Sequence, residues 1–211
     1  MFLTPFLDFG DPIERVIGQR ACGQENQDST VVVAPVANAP VPLKVRIVCV
    51  SDKLRILAVS EQGTALAGSG LAMVSGPIDQ SKAYFEISVQ EDDTAITIGA
   101  VGRNPNSVLA AGWRSLANVP NSMSVSLGKF QKGHVVGVLI NISDFPPTVT
   151  GYTQDDVVVK QTSQSVRGDL WPAVEIAGSA TVVFARDKLQ FLTPHRLSRG
   201  VEALMISRAI I

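Results

Sequence analysis

The chain has few residues of the kinds that build metal centres and disulfide frameworks. Its 211 residues include two cysteines and two histidines, at positions 22, 49, 134 and 195. None of these positions has the short spacing that zinc ligands show, so the sequence predicts no metal site. One cysteine lies in a polar segment and the other in the apolar run RIVCVS. This usage favours free thiols in a reducing compartment over a disulfide.

Excess charge and long apolar runs are also lacking. Eighteen Lys and Arg against nineteen Asp and Glu give a formal net charge of -1, so no overall field attracts nucleic acid or anionic lipid. No window reaches the ~20 apolar residues that a membrane helix needs. Acidic residues at positions 8, 11 and 14 argue against a signal peptide. We expect a soluble, cytoplasmic protein that binds neither nucleic acid nor membrane, with a cytoskeletal location left open.

Recognisable catalytic motifs are missing as well. There is no G-x-S-x-G nucleophile elbow, and the glycine-rich LAGSGLAMVSG lacks the ending of a phosphate-binding loop. His134 and His195 stand alone, which favours structural or exposed roles. Asp92-Asp93 and Asp155-Asp156 are expected at turns rather than around a cation. The sequence therefore predicts no catalytic residue and no cofactor, and a protein that is not an enzyme.

What the sequence does contain is a series of short strand-like runs from residue 43 onward. In KAYFEISV the odd-numbered residues from Ala83 to Val89 are predicted to face the core, and the even-numbered ones, such as Tyr84 and Glu86, to lie nearer to solvent. Regular short strands without helices between them indicate an all-β fold, an antiparallel β-sandwich. The runs are KVRIVCV, LRILAV, SGLAMV, KAYFEISV, AITIGAVG, SMSVSLG, HVVGVLINI, DVVVKQ, LWPAVEI and ATVVFA.

The chain divides into three parts. Residues 1–40 contain the apolar MFLTPFLDF and the proline-rich TVVVAPVANAPVPL, which predict an extended N-terminal arm rather than a domain. Residues 41–186 form the predicted sandwich, and residues 187–211 a C-terminal tail that packs on the sandwich or on a partner. Because apolar side chains are costly to expose, we expect the arm to dock on this protein or on a partner.

The tripeptide Arg167-Gly168-Asp169 would indicate a cell-adhesion ligand in a secreted protein. This sequence shows no secretion signal, and a predicted strand begins at Leu170. We therefore interpret the tripeptide as the turn that leads into LWPAV, with Gly168 supplying backbone freedom.

Four of the segments, taken in order, resemble the SPRY domain, a β-sandwich interaction module. SKAYFEISV is similar to the family's Tyr-Phe-Glu strand and ITIGAVGR to its Gly-Val strand. KGHVVGVLINIS is similar to the Gly-Val-Leu strand, and GDLWPAVEIAGSATVVFA to the Pro-Ala-Val segment and closing strand. The match spans about residues 60–186 and looks most like the small stand-alone SPRY-domain-containing-protein-seven type. It implies a SPRY-like, concanavalin-like jelly roll behind the N-terminal arm.

The chain departs from the family pattern after Asn141. SDFPPTVTGYTQDD stands where the family has an acidic residue and then a strand ending in Asn-Gly. Pro146-Pro147 lacks two backbone donors, so strand pairing should stop or shift there.

The resemblance implies a protein or peptide partner bound by loops at one end of the sandwich. In the family's peptide binders, an aromatic after the Gly-Val strand and a short loop after the Pro-Ala-Val strand line the pocket. The matching positions are Trp113 and the loop residues Ile176, Ala177 and Gly178, with Arg103 and Arg114 as charged neighbours. A purely structural role for Trp113, packed beneath a loop, explains its presence equally well. For both arginines, a solvated surface position is the ordinary expectation.

Two functions follow. The first is a non-enzymatic protein-interaction module that recognises a peptide or loop of a partner. The alternative is a structural subunit built permanently into a large assembly, for example a cytoskeletal or axonemal one, attached by residues 1–40 and by the C-terminal tail.

Overall fold

The computed structural model describes residues 45–49, 58–59, 64–153, 157–192 and 199–206. Its strands are β1 Ile47–Cys49, β2 Ala58–Val59, β3 Ala65–Val74, β4 Lys82–Val89, β5 Thr94–Val101, β6 Ser122–Phe130, β7 Val135–Asn141, β8 Thr148–Tyr152, β9 Val158–Ser163, β10 Trp171–Val183 and β11 Glu202–Ala203. The helix α1 is Pro105–Ala110, and 3₁₀ turns lie at Leu116–Asn118 and Arg186–Lys188.

Several predictions fall on other parts of the chain. The N-terminal arm of residues 1–40, Cys22, Asp155-Asp156 and His195 lie outside the described residues. Asp92 and Asp93 are described and lie in the turn between β4 and β5, as expected. In the described part of the chain, no helix is long and apolar enough to span a membrane.

Strand β10 joins the two halves of the fold because it is paired along both edges. One edge pairs with β3 over most of its length. The other edge pairs with β5 as far as Ala177 and with β4 from Ala180 onward. The exchange of neighbour falls at Gly178, whose φ is 133°, and a Cβ there would overlap Thr94. Both the backbone conformation and the close approach therefore favour glycine.

Two sheets branch from the β3–β10 pair. One continues through β4, β7, β8 and β9, and the other through β5 and β6, all by antiparallel pairing. Their inner faces share one apolar core that includes Phe85, Ile98, Leu127 and Val138. A Cβ on Gly151 of β8 would touch Leu127 of β6 and Ile98 of β5, so the two sheets lie face to face. The predicted antiparallel β-sandwich is confirmed.

Two strands differ from the sequence pattern. LWPAVEI and ATVVFA form a single strand, β10, because the residues between them continue to pair with β3. None of the predicted runs corresponds to β8, a short strand that follows Pro146-Pro147. Asn141 of β7 pairs with Thr148 of β8, so Pro146-Pro147 lie in the loop that connects the two strands and outside their ladder, which agrees with the break in pairing expected at the two prolines.

The outer face of β4 is buried, so the prediction that it lies nearer to solvent is wrong. Tyr84 is 0% and Glu86 1% exposed. The Glu86 carboxylate accepts the backbone N–H groups of Gln190 and Phe191, each at 2.7 Å, and the Tyr84 hydroxyl donates to it at 3.2 Å. These three donors offset the cost of burying a carboxylate. The segment that contains Gln190 and Phe191 thus covers this face, which the sequence pattern had assigned to solvent.

Gln80 binds the chain near β11 to the same sheet. Its side chain donates to the carbonyl of Ala203 at 2.6 Å and accepts the N–H of Met205 at 2.6 Å. β11 pairs in parallel with β4, and Leu204 and Ile206 are buried in the main core. Residues 202–206 are therefore an integral part of the sandwich.

Replacing Glu86 by glutamine should loosen the tail from β4. The amide offers one oxygen where two backbone N–H groups need acceptors, so we expect the free energy of unfolding to fall by about 1–3 kcal/mol. Hydrogen exchange at the Gln190 and Phe191 amides should accelerate. Asp187→Asn, at an exposed acidic residue of the same segment, should change neither quantity. Unaltered exchange in Glu86→Gln would contradict the assigned role.

Gly137→Ala tests the packing between β7 and β4. A Cβ at Gly137 would overlap the hydroxyl and ring of Tyr84, and overpacking of this kind lowers the free energy of unfolding by about 1–3 kcal/mol. Chemical denaturation of Gly137→Ala, Tyr84→Phe and the double variant measures the effect. Tyr84→Phe removes one of the overlapping atoms. The free energy of unfolding of the double variant should therefore fall by less than the sum of the losses in the two single variants. Strict additivity would rule out the overlap.

Candidate partner-binding surface

A second, smaller apolar cluster lies outside the main core. It includes side chains of β3, β5 and β10 on the faces that point away from the core. The connection from β5 to β6, residues 102–121, covers this cluster with α1 and the first 3₁₀ turn; we call it the cover segment. The buried members are Leu71, Met73, Val101, Val108, Leu116, Val119, Trp171 and Ala173.

Local sequence signals explain the helix in the cover segment. Asn104 is the N-cap, and its side-chain oxygen accepts the N–H of Ser107 at 2.8 Å. Pro105 follows at the start of the helix, where its missing N–H costs nothing. Beyond the helix, Gly112 has a φ of 70°, a left-handed conformation that glycine adopts without strain. The helix is therefore short and has a defined beginning and end.

Glu175 of β10 fastens the cover segment to the sheet. Its carboxylate accepts the Ser115 hydroxyl at 3.0 Å and the Leu116 N–H at 2.9 Å. On the neighbouring strand, Gly99 leaves the space that the Leu116 side chain occupies, since a Cβ there would be too close to it. The segment is thus held by two charge-assisted hydrogen bonds and one close packing contact.

Trp113 and Arg103 meet at the surface of the cover segment. Trp113 is half-buried and packs against the second cluster. The guanidinium carbon of Arg103 lies 5.4 Å from the centroid of the Trp113 ring, within cation–π distance. Leu109, 49% exposed, and the exposed Arg114 belong to the same segment. We call Arg103, Leu109, Trp113 and Arg114 the tryptophan platform.

The turn that contains Arg167-Gly168-Asp169 is tied to the cover segment by Asn121. The Asn121 amide donates to the carbonyl oxygens of Arg167 at 2.9 Å and Gly102 at 3.2 Å, and its oxygen accepts the Arg167 N–H at 2.9 Å. Gly168 has a φ of 85°, and β10 begins two residues after the tripeptide, at Trp171. The tripeptide is therefore a bend before β10, as the sequence indicated.

The structure brings together only part of the predicted site. Arg103, Trp113 and Arg114 lie in the cover segment, whereas the loop expected at Ile176–Gly178 does not exist. These residues lie within β10, where pairing with β3 continues through them. Ile176 is 1% exposed and belongs to the main core, so its side chain cannot line a surface pocket.

Position along the sheet also separates Ala177 and Gly178 from Arg103. Ala177, which is exposed, pairs with Ala95 near the beginning of β5, while Arg103 follows the end of that strand. Six residues of β5 between these levels correspond to roughly 20 Å. The six predicted residues therefore do not form one pocket.

Sequence reasoning missed Glu175, Asn121 and Leu109. A carboxylate inside the apolar run WPAVEIAG was the signal for Glu175, because a charged group among buried neighbours needs hydrogen-bond donors. No pattern in the sequence indicated that Asn121 would join the turn before β10 to the cover segment.

Two cavities lie elsewhere on the described surface. One, of ≈ 450 Å³, is lined by Val45, Thr64, Thr181, Val182, Val183, Phe184, Ala185 and Lys188. The other, of ≈ 300 Å³, lies beside the loop between β7 and β8 and the turn before β10. A search of the described residues for three or more His, Cys, Asp or Glu side chains that could hold a metal ion finds no such group.

No family model and no curated protein matches the chain. Among solved structures, the chain is similar to the TRIM65 PSpry domain, with 11% identity over 67% of this chain and 91% of that one and a TM-score of 0.48. It is also similar to stonustoxin, with 12% identity over 67% of this chain and 27% of that one and a TM-score of 0.45. The fold assignment rests on the strand pairing and the core.

Glu175→Gln should loosen the cover segment. With one oxygen replaced by an amide group, the carboxylate contacts to Ser115 and Leu116 weaken, and we expect a loss of about 1–2 kcal/mol in the free energy of unfolding. Quenching of Trp113 fluorescence by acrylamide, measured in a Trp171→Phe background, should increase. Glu91→Gln, at an exposed glutamate in the turn between β4 and β5, serves as control. Equal quenching in both variants would show that Glu175 does not hold the segment.

Proposed function

We propose that this chain is a non-enzymatic protein-interaction module that recognises a peptide or loop of a protein partner through the tryptophan platform. The observation that carries the proposal is the pairing of Arg103 with a half-buried Trp113 on a segment fastened to the sheet. Tryptophan and arginine are the residues that most often dominate binding energy at protein interfaces.

The packing beneath the platform supports this role. Trp113 rests on a buried cluster, and Glu175 holds the residues that follow it. An anchor that is already in place loses little conformational freedom when a partner binds, which favours affinity. Leu109 adds exposed apolar area on the same segment. The platform thus combines a rigid base with the side chains that interfaces prefer.

The SPRY resemblance of the four sequence segments supports an interaction module, and the closer likeness to the SPRY-domain-containing-protein-seven type stays a prediction. So do contacts of a partner with Ala177 and Gly178, which would require a ligand that extends along the outer face of the sheet. Ile176 contributes to such a site only by packing beneath it.

The alternative function, a subunit built into a large assembly, depends mainly on the arm of residues 1–40, which lies outside the described residues. The described part of the tail gives it no support. Residues 202–206 are bound to β4 and Gln80, so attachment through their backbone would require these contacts to break.

Trp113→Ala tests the proposed function. Loss of a central tryptophan anchor typically costs about 2 kcal/mol or more of binding free energy, roughly a thirtyfold loss of affinity. Quantitative affinity purification from cells that express tagged full-length protein, followed by mass spectrometry, should show partners depleted from the variant. Thermal unfolding should confirm that the variant remains folded.

Phe130→Ala is the matched control. Phe130 is also a partly buried aromatic, but it lies at the far end of β6, opposite Thr94. Its replacement should leave the captured partners unchanged. If Trp113→Ala retains the same partners in the same amounts as the wild type, the platform is not the binding surface.

A further inference from the structure

We infer that the tryptophan platform selects acidic segments, so that a partner presents Asp or Glu carboxylates to Arg103 and its neighbours. This inference rests on the proposed function and adds the chemistry of the partner. It is carried by the distribution of charge along the chain and by the geometry of Arg103.

Charge is unevenly distributed around the platform. The whole chain has 18 basic and 19 acidic residues, yet no Asp or Glu occurs from residue 94 to residue 143. Within the cover segment the only charged side chains are Arg103 and Arg114, and both are exposed. A surface that is positive on a chain near neutrality attracts an acidic partner locally, without a long-range field.

A third arginine, Arg167, lies at the edge of this surface. Asn121 hydrogen bonds to the backbone of both Gly102 and Arg167, and Gly102 directly precedes Arg103. Two acidic residues belong to segments that contact the cover segment. Asp169 belongs to the bend that contains Arg167, and Glu175 lies under the cover segment, where Ser115 and Leu116 donate to it.

Arg103 is suited to carboxylate recognition. Contact with the Trp113 ring restricts the guanidinium while leaving its edge N–H groups available for two parallel hydrogen bonds to a carboxylate. No described residue forms a hydrogen bond or ion pair with this guanidinium, so an acidic side chain of the partner would satisfy its donors. Lysine could not replace it fully, because an ammonium lacks the planar fork.

The chemistry favours a peptide over nucleic acid. Binding of a single strand uses several aromatic platforms along a basic groove, whereas the cover segment contains a single aromatic residue, Trp113. The apolar contribution of Leu109 also fits a side chain of a peptide better than a phosphate backbone.

The test begins with a phage-displayed library of random linear peptides panned on the full-length protein, with Trp113→Ala as counter-selection. We expect Trp113-dependent peptides that share Asp or Glu. Fluorescence anisotropy of the best peptides should show that Arg103→Gln weakens binding about tenfold, that Arg103→Lys weakens it less, and that added salt weakens it further. Lys129→Gln makes the same change of charge at an exposed site near the far end of β6 and should leave the Kd unchanged.

The outcomes separate this inference from the proposed function. Trp113-dependent peptides that lack acidic residues, or that keep their Kd when Asp and Glu are replaced by Asn and Gln, would overturn acidic selection and leave the interaction module intact. Failure to recover any Trp113-dependent peptide would overturn both. A labelled single-stranded oligonucleotide that binds more tightly than the peptides, with the same dependence on Arg103, would overturn the inference in favour of nucleic acid.

Discussion

The double pairing of β10 is the constraint on which the rest of the structure depends. The first part of β10 pairs with β5 and the second part pairs with β4. Both sheets therefore share this strand and face a common core. At the exchange point, the Thr94 hydroxyl donates to the carbonyl of Glu91 at 2.7 Å and accepts the N–H of Ser179 at 3.2 Å. The turn between β4 and β5 is therefore tied to the place where β10 changes neighbour, and Gly178 provides the space.

The outer faces of the two sheets are covered by the same physical means. On β4, the Glu86 carboxylate accepts backbone N–H groups of Gln190 and Phe191, and on β10, Glu175 accepts that of Leu116. Each carboxylate lies in a strand of otherwise apolar character and fixes an irregular segment to it. Charge-assisted hydrogen bonds suit this purpose, because the backbone N–H groups of an irregular segment have no acceptor in a strand ladder and the carboxylate supplies one.

The attachment of the cover segment determines which side chains are presented at this surface. The cover segment is held by Glu175 and by the cluster beneath it, so Trp113 and Arg103 have a rigid base although they lie between strands. Interaction sites on loops commonly depend on such support from the scaffold. Ala177 and its neighbours in β10 offer strand surface instead of the loop expected there. We therefore assign the proposed binding function to the cover segment.

The sequence by itself determined the β-sandwich class, most of the strands and the core-facing side of β4, because alternation over a few residues reflects local backbone geometry. It also pointed to Trp113 through a family resemblance and to Arg103 as a charged neighbour. Only the tertiary structure decided that β10 continues through Ile176–Gly178, that the outer face of β4 is covered, and that Glu175 holds the cover segment. These features are contacts between residues far apart in the chain, such as Glu86 and Gln190, 104 positions apart. Local patterns do not identify the distant partner in such a contact, since alternation gives the same signal whether a face meets water or a distant segment.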